Sequence, residues 1–304
     1  MTTPFGLSRR GALAALSFLF LAWLLALGDV LPSAHRWFAV LLAPALIYRR
    51  PRAYIRDFAP FGLAVLGYEW ARTLAHRINP HPFYRPQIDA DEVIGLGRIP
   101  TVRLQGWLYH GTPRFFEHQL DRVHDWYFGV LLAMLFLLWL ECRREYLRAA
   151  TAALGCAFAA AVCFLVFPAA PPWLASCHHL VGPLERIREH GHQCPRALGD
   201  PSLVTRLFDD NPVAAIPSLH GAWSTLAALI LWRWRPRLWP VGVAYALMQQ
   251  FAVVYLGEHY VIDIVIGDAL AVLMWWLSGR YVLGARAARP RVAQRERAIS
   301  DSIS

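Results

Sequence analysis

Lysine is absent from this chain: all 30 basic residues among its 304 are arginine. Charge is scarce as well, at 17% of residues against 57% hydrophobic. That balance excludes an ordinary soluble domain and fits a polytopic membrane protein. There is no Gly-rich phosphate loop and no paired-cysteine zinc spacing, which removes the nucleotide-loop and zinc-ribbon classes. No internal repeat stands out, and no linker divides two globular parts. A signal-peptide cleavage pattern is also missing, so the first apolar segment, behind Arg9 and Arg10, reads as a retained anchor.

What is present is a series of apolar stretches. Eight can be marked, at 11–31, 37–48, 58–76, 123–140, 149–168, 214–232, 238–256 and 259–279. Most approach the roughly 20 residues a spanning helix requires. The expected fold is therefore an all-α membrane bundle of about eight spans. Residues 1–57 hold two N-terminal spans, 58–279 a six-helix catalytic domain, and 280–304 a basic, disordered tail. Within the bundle, Gly62, Gly67 and Gly267 are candidate points of close helix approach.

Arginine placement orients the bundle. With a cytoplasmic N-terminus, the inner segments carry Arg9 and Arg10, Arg49 to Arg56, Arg143 to Arg148, Arg233 to Arg237, and the tail arginines from Arg280 onward. Every short inner loop is then arginine-rich, as the positive-inside rule requires. Both termini fall in the cytoplasm of a multi-pass cell-membrane protein. The net charge of +9 is thus a topology signal, and no nucleic-acid partner is expected. Two long segments, 77–122 and 169–213, lie outside. The first reads as loop, ending in an amphipathic stretch at 114–126 suited to the interface. The second opens on a proline-rich exit with Trp173 placed for the headgroup level. It also holds Cys177 and Cys194, which an oxidising compartment would allow to pair. Cys142, Cys156 and Cys163 read as packing residues.

The chemistry-bearing residues lie at the outer level. His220 follows Pro217, Ser218 and Leu219, and His259 opens Gly257-Glu258-His259-Tyr260-Val261-Ile262-Asp263. Between them the chain runs inward for about 28 Å at 1.5 Å per residue, turns, and returns, so both histidines reach one depth. Asp263 is four residues beyond His259 and shares its helix face. A histidine held by a carboxylate and facing a second histidine suits covalent phosphoryl transfer, one ring attacking and the other protonating the leaving oxygen. Pro217 suits the first helical turn, where Ser218 and the free amides can bind phosphate oxygens. The plain reading of one histidine at a helix end is an interfacial polar residue; two at matched depth with Asp263 weigh against it. A metal held by His220, His259 and Asp263 ranks second, because this chemistry needs no metal or other cofactor. Asp268 reads as a packing contact on another face, and Glu258 as exposed at the interface.

At these residues the chain resembles the type 2 phosphatidic acid phosphatase (PAP2) superfamily. That family carries Pro-Ser-Gly-His and, later, Ser-Arg-x5-His-x3-Asp. The resemblance makes His220 the general acid, His259 the nucleophile and Asp263 the residue that orients it. The chain departs from the wider pattern. Leu219 replaces the glycine, Ala252 and Val253 stand where Ser-Arg would be, and the lysine-containing first motif cannot exist. It is closer to the inositol phosphorylceramide synthase branch. Phe167-Pro168-Ala169-Ala170-Pro171-Pro172-Trp173, Pro217-Ser218-Leu219-His220 and His259-Tyr260-Val261-Ile262-Asp263 match that branch. The last motif is also similar to that of sphingomyelin synthases. The similarity is strong over 160–270, loose over 85–140, and absent from the first two spans.

The resemblance implies transfer of a phosphorylated head group from a membrane lipid, of phospholipid or polyprenyl-phosphate type, to an alcohol. Hydrolysis is the same mechanism with water as acceptor, and a non-enzymatic transporter or scaffold is the remaining class. The phosphoryl group needs positive charge or donors nearby. Ser218, Arg186, Arg196 and His124 are the leading candidates, with Arg122, Arg188 and Arg206 behind them.

Overall fold

The computed structural model describes residues 50–79, 81–187 and 213–283. The first two expected spans, the 284–304 tail, and Arg188, Arg196, Arg206 and Cys194 lie outside them. The described residues are almost wholly helical. The helices are α1 (Pro51–Ile78), α2 (Arg85–Ile94), α3 (Pro100–Leu108), α4 (Phe115–Asp125), α5 (Tyr127–Glu141), α6 (Arg143–Val166), α7 (Pro172–Cys177), α8 (Leu219–Trp234), α9 (Trp239–Tyr255) and α10 (Val261–Ser278). Each of the last six expected spans coincides with a helix. Arg143–Val166, Pro236–Tyr255 and Val261–Val282 are long and apolar enough to cross a membrane, and α4 and α5, bent by 48°, pass the same test only when taken together as one span. The segment 77–122 holds two short helices, α2 and α3, where loop was expected. Prolines sit in the first turns of both, where a missing N–H costs nothing.

The bundle packs around α8, which touches α5, α6, α9 and α10. Close approach depends on small side chains. Ala149, Ala153, Cys156, Ala157 and Ala160 form a fully buried stripe on α6. Where α8 crosses α10, a Cβ added to Gly267 would lie 2.3 Å from the Ser218 carbonyl oxygen, and one on Gly221 would lie 3.2 Å from Ile264 Cγ2. Gly67 meets nothing within 4 Å and is not a contact point.

Arginines of the α5–α6 and α8–α9 turns lie at the helix ends away from the histidines. Arg143 and Trp139 both bind the Asp57 carboxylate, at 2.8 and 2.9 Å, joining α1 to the α5–α6 turn. Arg235, in the α8–α9 turn, pairs with Glu141 at the end of α5.

At the histidine end, the Phe-Pro-Ala-Ala-Pro-Pro-Trp element acts as a clamp. Its backbone bonds to three other segments. Pro168 O accepts from Phe83 N, Ala169 N and O bond Val213 O and Ala215 N, and Trp173 N donates to Gly257 O at 3.1 Å. Trp173 is buried in this clamp. Cys177, just beyond it, is disulfide-bonded, whereas Cys142, Cys156 and Cys163 are free.

Gly267→Ala should lower the detergent-solubilised melting point markedly, by the roughly 1–3 kcal/mol typical of overpacking. Gly67→Ala should leave it unchanged. A thermal-shift comparison of the two reads this directly.

Candidate active site

Two helix starts are locked together before any side-chain chemistry is considered. Ser218 caps α8, its hydroxyl accepting from Gly221 N at 3.3 Å. Its own N–H donates to the Asp263 carbonyl at 3.0 Å, which ties the α8 start to the first turn of α10. Pro217 therefore precedes the cap, joined to Ile216 by a cis bond, and does not occupy the first turn. The α9–α10 connection turns at Gly257, with φ of 84°, a value that favours glycine. Glu258 N and His259 N then both donate to the Val253 carbonyl, fixing His259 against the end of α9.

The side chains form a relay. His220 Nδ1 lies 3.1 Å from His259 Nε2, and His259 Nδ1 lies 3.4 Å from Asp263 Oδ2. The same Asp263 oxygen accepts from Tyr260 N at 2.9 Å, so the carboxylate is held as the α10 cap while it faces the imidazole. Asp263 is fully buried and His259 nearly so. The carboxylate accepts the Nδ1 proton of His259, which leaves a lone pair on Nε2 directed at the other histidine. Because the two nitrogens of His259 face opposite partners, the three residues do not converge on a point, as a shared metal ion would require. Among the described residues one set of ligand atoms does converge: those of Asp121, His124 and Asp125 lie within 4.8 Å of one another.

His124 joins the site through α4. The bend between α4 and α5 places His124 and Tyr127 against the His220 ring, with ring centroids at 4.4 and 4.1 Å. His124 Nδ1 is 3.0 Å from Asp125 Oδ1, and its carbonyl accepts from Gln249. The general-acid candidate is thus packed between a carboxylate-linked histidine and a tyrosine.

The other phosphate-binding candidates fall differently. Ser218 is at the site, but buried, with its hydroxyl used as a cap. Arg186 is forked onto Glu258 at 2.6 and 3.1 Å and lies over the Trp173 ring at 4.5 Å. A phosphate would compete with that carboxylate for it. Glu258 is accordingly a partly buried ion-pair member beside His259, in place of the exposed interfacial residue expected. Arg122 is exposed and reaches Gln119.

Sequence reasoning missed Tyr127 and Asp91. Asp91, fully buried on α2, accepts from Val261 N and Ile262 N at 3.0 and 2.9 Å and so caps α10 from a distant helix. Burial pushes its carboxyl up to about 6, against the pull of those two amides. Only an unpaired acid in the apolar spacing of 85–94 hinted at it.

A model of the PAP2 superfamily matches residues 90–277. The catalytic subunit of inositol phosphorylceramide synthase from Schizosaccharomyces pombe is 34% identical over 113 residues, 36% of this chain and 27% of that protein. Its Saccharomyces cerevisiae counterpart is 30% identical over 118 residues, with 36% and 28% covered. A phosphoinositol dihydroceramide synthase from Bacteroides thetaiotaomicron is 26% identical over 265 residues, covering 78% of this chain and 80% of its own. The chain spans about a quarter of the length of the fungal relatives it matches. No solved structure matches.

Asp91 supplies a pH prediction. Its folded value, raised above the unfolded one, contributes stability below pH 4 that is lost as pH rises through about 6. The melting-point advantage of the native protein over Asp91→Asn should therefore shrink between pH 4 and 7, and thermal denaturation across that range measures it.

Proposed function

The chain belongs to the PAP2 superfamily, and on that premise we propose that it is a membrane-embedded lipid phosphotransferase working through a phosphohistidine at His259. The observation that carries this reading is the His220–His259–Asp263 relay, with Nε2 of His259 facing Nδ1 of His220 at 3.1 Å. The reaction proposed is transfer of a phosphoinositol group to the primary hydroxyl of a ceramide-type acceptor. The activities named for the fungal and bacterial relatives support that assignment, as does the clamp formed by the Phe-Pro-Ala-Ala-Pro-Pro-Trp element.

In the first half-reaction the His259 Nε2 lone pair attacks phosphorus. The bond from phosphorus to the departing lipid oxygen breaks, and that oxygen takes a proton from His220. In the second, neutral His220 removes the acceptor hydroxyl proton as the alkoxide oxygen attacks. The phosphorus–nitrogen bond breaks and His259 is restored. Asp263 accepts the Nδ1–H throughout and stabilises the charge that develops on the ring. The resting rings are too close to hold phosphorus between them, so substrate entry has to part them. His124, linked to Asp125, is the basic group placed to supply positive charge beside His220, the role that lysine and arginine of the wider family would have filled. Ser218 contributes through the α8 start, and Arg186 by exchanging Glu258 for phosphate; Arg196 stays a candidate on sequence grounds.

The site is assigned to the extracytoplasmic face, with both termini inside. The arginine-rich inner turns support this, and so does the disulfide at Cys177, which belongs in an oxidising compartment.

Purified protein given labelled phosphatidylinositol and ceramide should form labelled phosphoinositol-ceramide. His259→Ala and His220→Ala should reduce turnover at least 10³-fold while folding normally, and Asp263→Asn by about 10²–10⁴-fold. Release of free inositol phosphate with no lipid product would mark a hydrolase instead. Full activity in either histidine variant would end the assignment.

A further inference from the structure

A second polar cluster lies deeper in the bundle, and the relay does not use it. Asp268 of α10 accepts from the Thr225 hydroxyl of α8 at 2.7 Å and from the Gln250 amide of α9 at 3.0 and 3.1 Å. Gln250 also lies 3.1 Å from Thr225 Oγ1. Gln250 and Asp268 lie within helices long and apolar enough to cross a membrane, and Thr225 lies on α8, packed against both, where polar groups are costly and mark functional positions. The donors to the carboxylate, a hydroxyl and an amide, are neutral, and no arginine or histidine of the described residues bonds it. The Gln250 amide has two hydrogens for three acceptors within reach, so the carboxylate, with about four lone-pair sites, keeps at least one open.

Position gives the cluster its meaning. Asp268 Oδ1 lies 3.4 Å from where a Cβ on Gly221 would be, one residue along α8 from His220. Asp268 and Thr225 are each five residues inward of a relay member, about 7.5 Å along the helix. All three side chains are partly exposed, and the helices flanking them present exposed Leu247 and Met248 on α9 and Val265, Ile266 and Val272 on α10. The result is an acceptor-rich polar spot within a lipid-facing apolar surface, just below the reacting level.

We propose that Asp268, oriented by Thr225 and Gln250, binds the amide N–H or secondary hydroxyl of the acceptor lipid and so selects a sphingoid acceptor over a diacylglycerol. The proposal rests on the phosphotransferase reading and names its acceptor. With the primary hydroxyl of a ceramide at the histidines, its amide and secondary hydroxyl sit on the next two carbons, toward the acyl chains. Both are donors and meet a carboxylate. A diacylglycerol in the same pose presents ester oxygens, which are acceptors only, and leaves the carboxylate facing lone pairs. Asp268 is a binding residue in this account and takes no part in proton transfer.

The test is photolabelling of the full chain in phosphatidylcholine vesicles by a photoactivatable ceramide, with no phosphoinositol donor present. Labelling should map to α9 or α10, be competed by ceramide, and be competed at least fivefold less well by diacylglycerol or by ceramide methylated on both its amide nitrogen and its secondary hydroxyl. Asp268→Asn, which can keep the bonds to Thr225 and Gln250, should reduce labelling at least fivefold with an unchanged melting point, and Asp268→Glu should restore part of it. Equal competition by diacylglycerol or the methylated ceramide on the unaltered protein would overturn the proposal, whether or not the variants fold. So would unchanged labelling of folded Asp268→Asn. Turnover is read separately. Selective labelling without transfer would refute the phosphotransferase reading alone, whereas transfer with unselective labelling would refute this inference alone.

Discussion

One residue, Asp263, joins the parts of this site. A single carboxylate oxygen accepts from Tyr260 N and faces His259 Nδ1, while the backbone carbonyl of the same residue accepts from Ser218 N. The first bond starts α10, the second orients the His259 ring, and the third fixes α8 to α10 at their histidine ends. Gly267 allows this third bond, because any side chain there would collide with the Ser218 carbonyl. The relative position of His220 and His259 is therefore a consequence of helix capping and of a missing methyl group. The chemistry then needs only the ring nitrogens these constraints deliver.

The outer segments serve the same end. Asp91 caps α10 from α2, the proline-rich clamp holds Gly257 through Trp173, and Gln105 of α3 donates to the carbonyls of Glu185 and Tyr255. Each contact acts on backbone near one of the two histidines. A site at the end of a bundle, where helix ends expose unpaired amides and carbonyls, obtains its rigidity from such cross-links. Inward of it, the cost of polar groups limits what is present, and the Asp268, Thr225 and Gln250 cluster stands out for that reason.

Legibility in the sequence followed the physics of each feature. The helices from 58 onward were readable because hydropathy and length are local properties, and the histidines because helix length alone returns them to one depth. Asp263 was readable because i,i+4 spacing is a property of one helix. Tyr127 and His124 beside His220 depend on a bend between α4 and α5, which neighbouring packing decides. Asp91 and the Arg186–Glu258 pair join residues 171 and 72 positions apart, and no periodicity encodes such a meeting. Pro217 lies two positions before the first helical residue, Leu219, and not in the first turn, since cap identity turns on the Ser218 hydroxyl reaching Gly221 N.

The central claim is that phosphorus passes through His259 in two displacements. Its most direct test is the stereochemical course at phosphorus, with a phosphatidylinositol whose phosphate carries one sulfur of known configuration as donor and ceramide as acceptor. Two in-line displacements through a histidine predict a product with retained configuration at phosphorus. Inversion would mean that the acceptor attacks the donor directly, and would contradict the account.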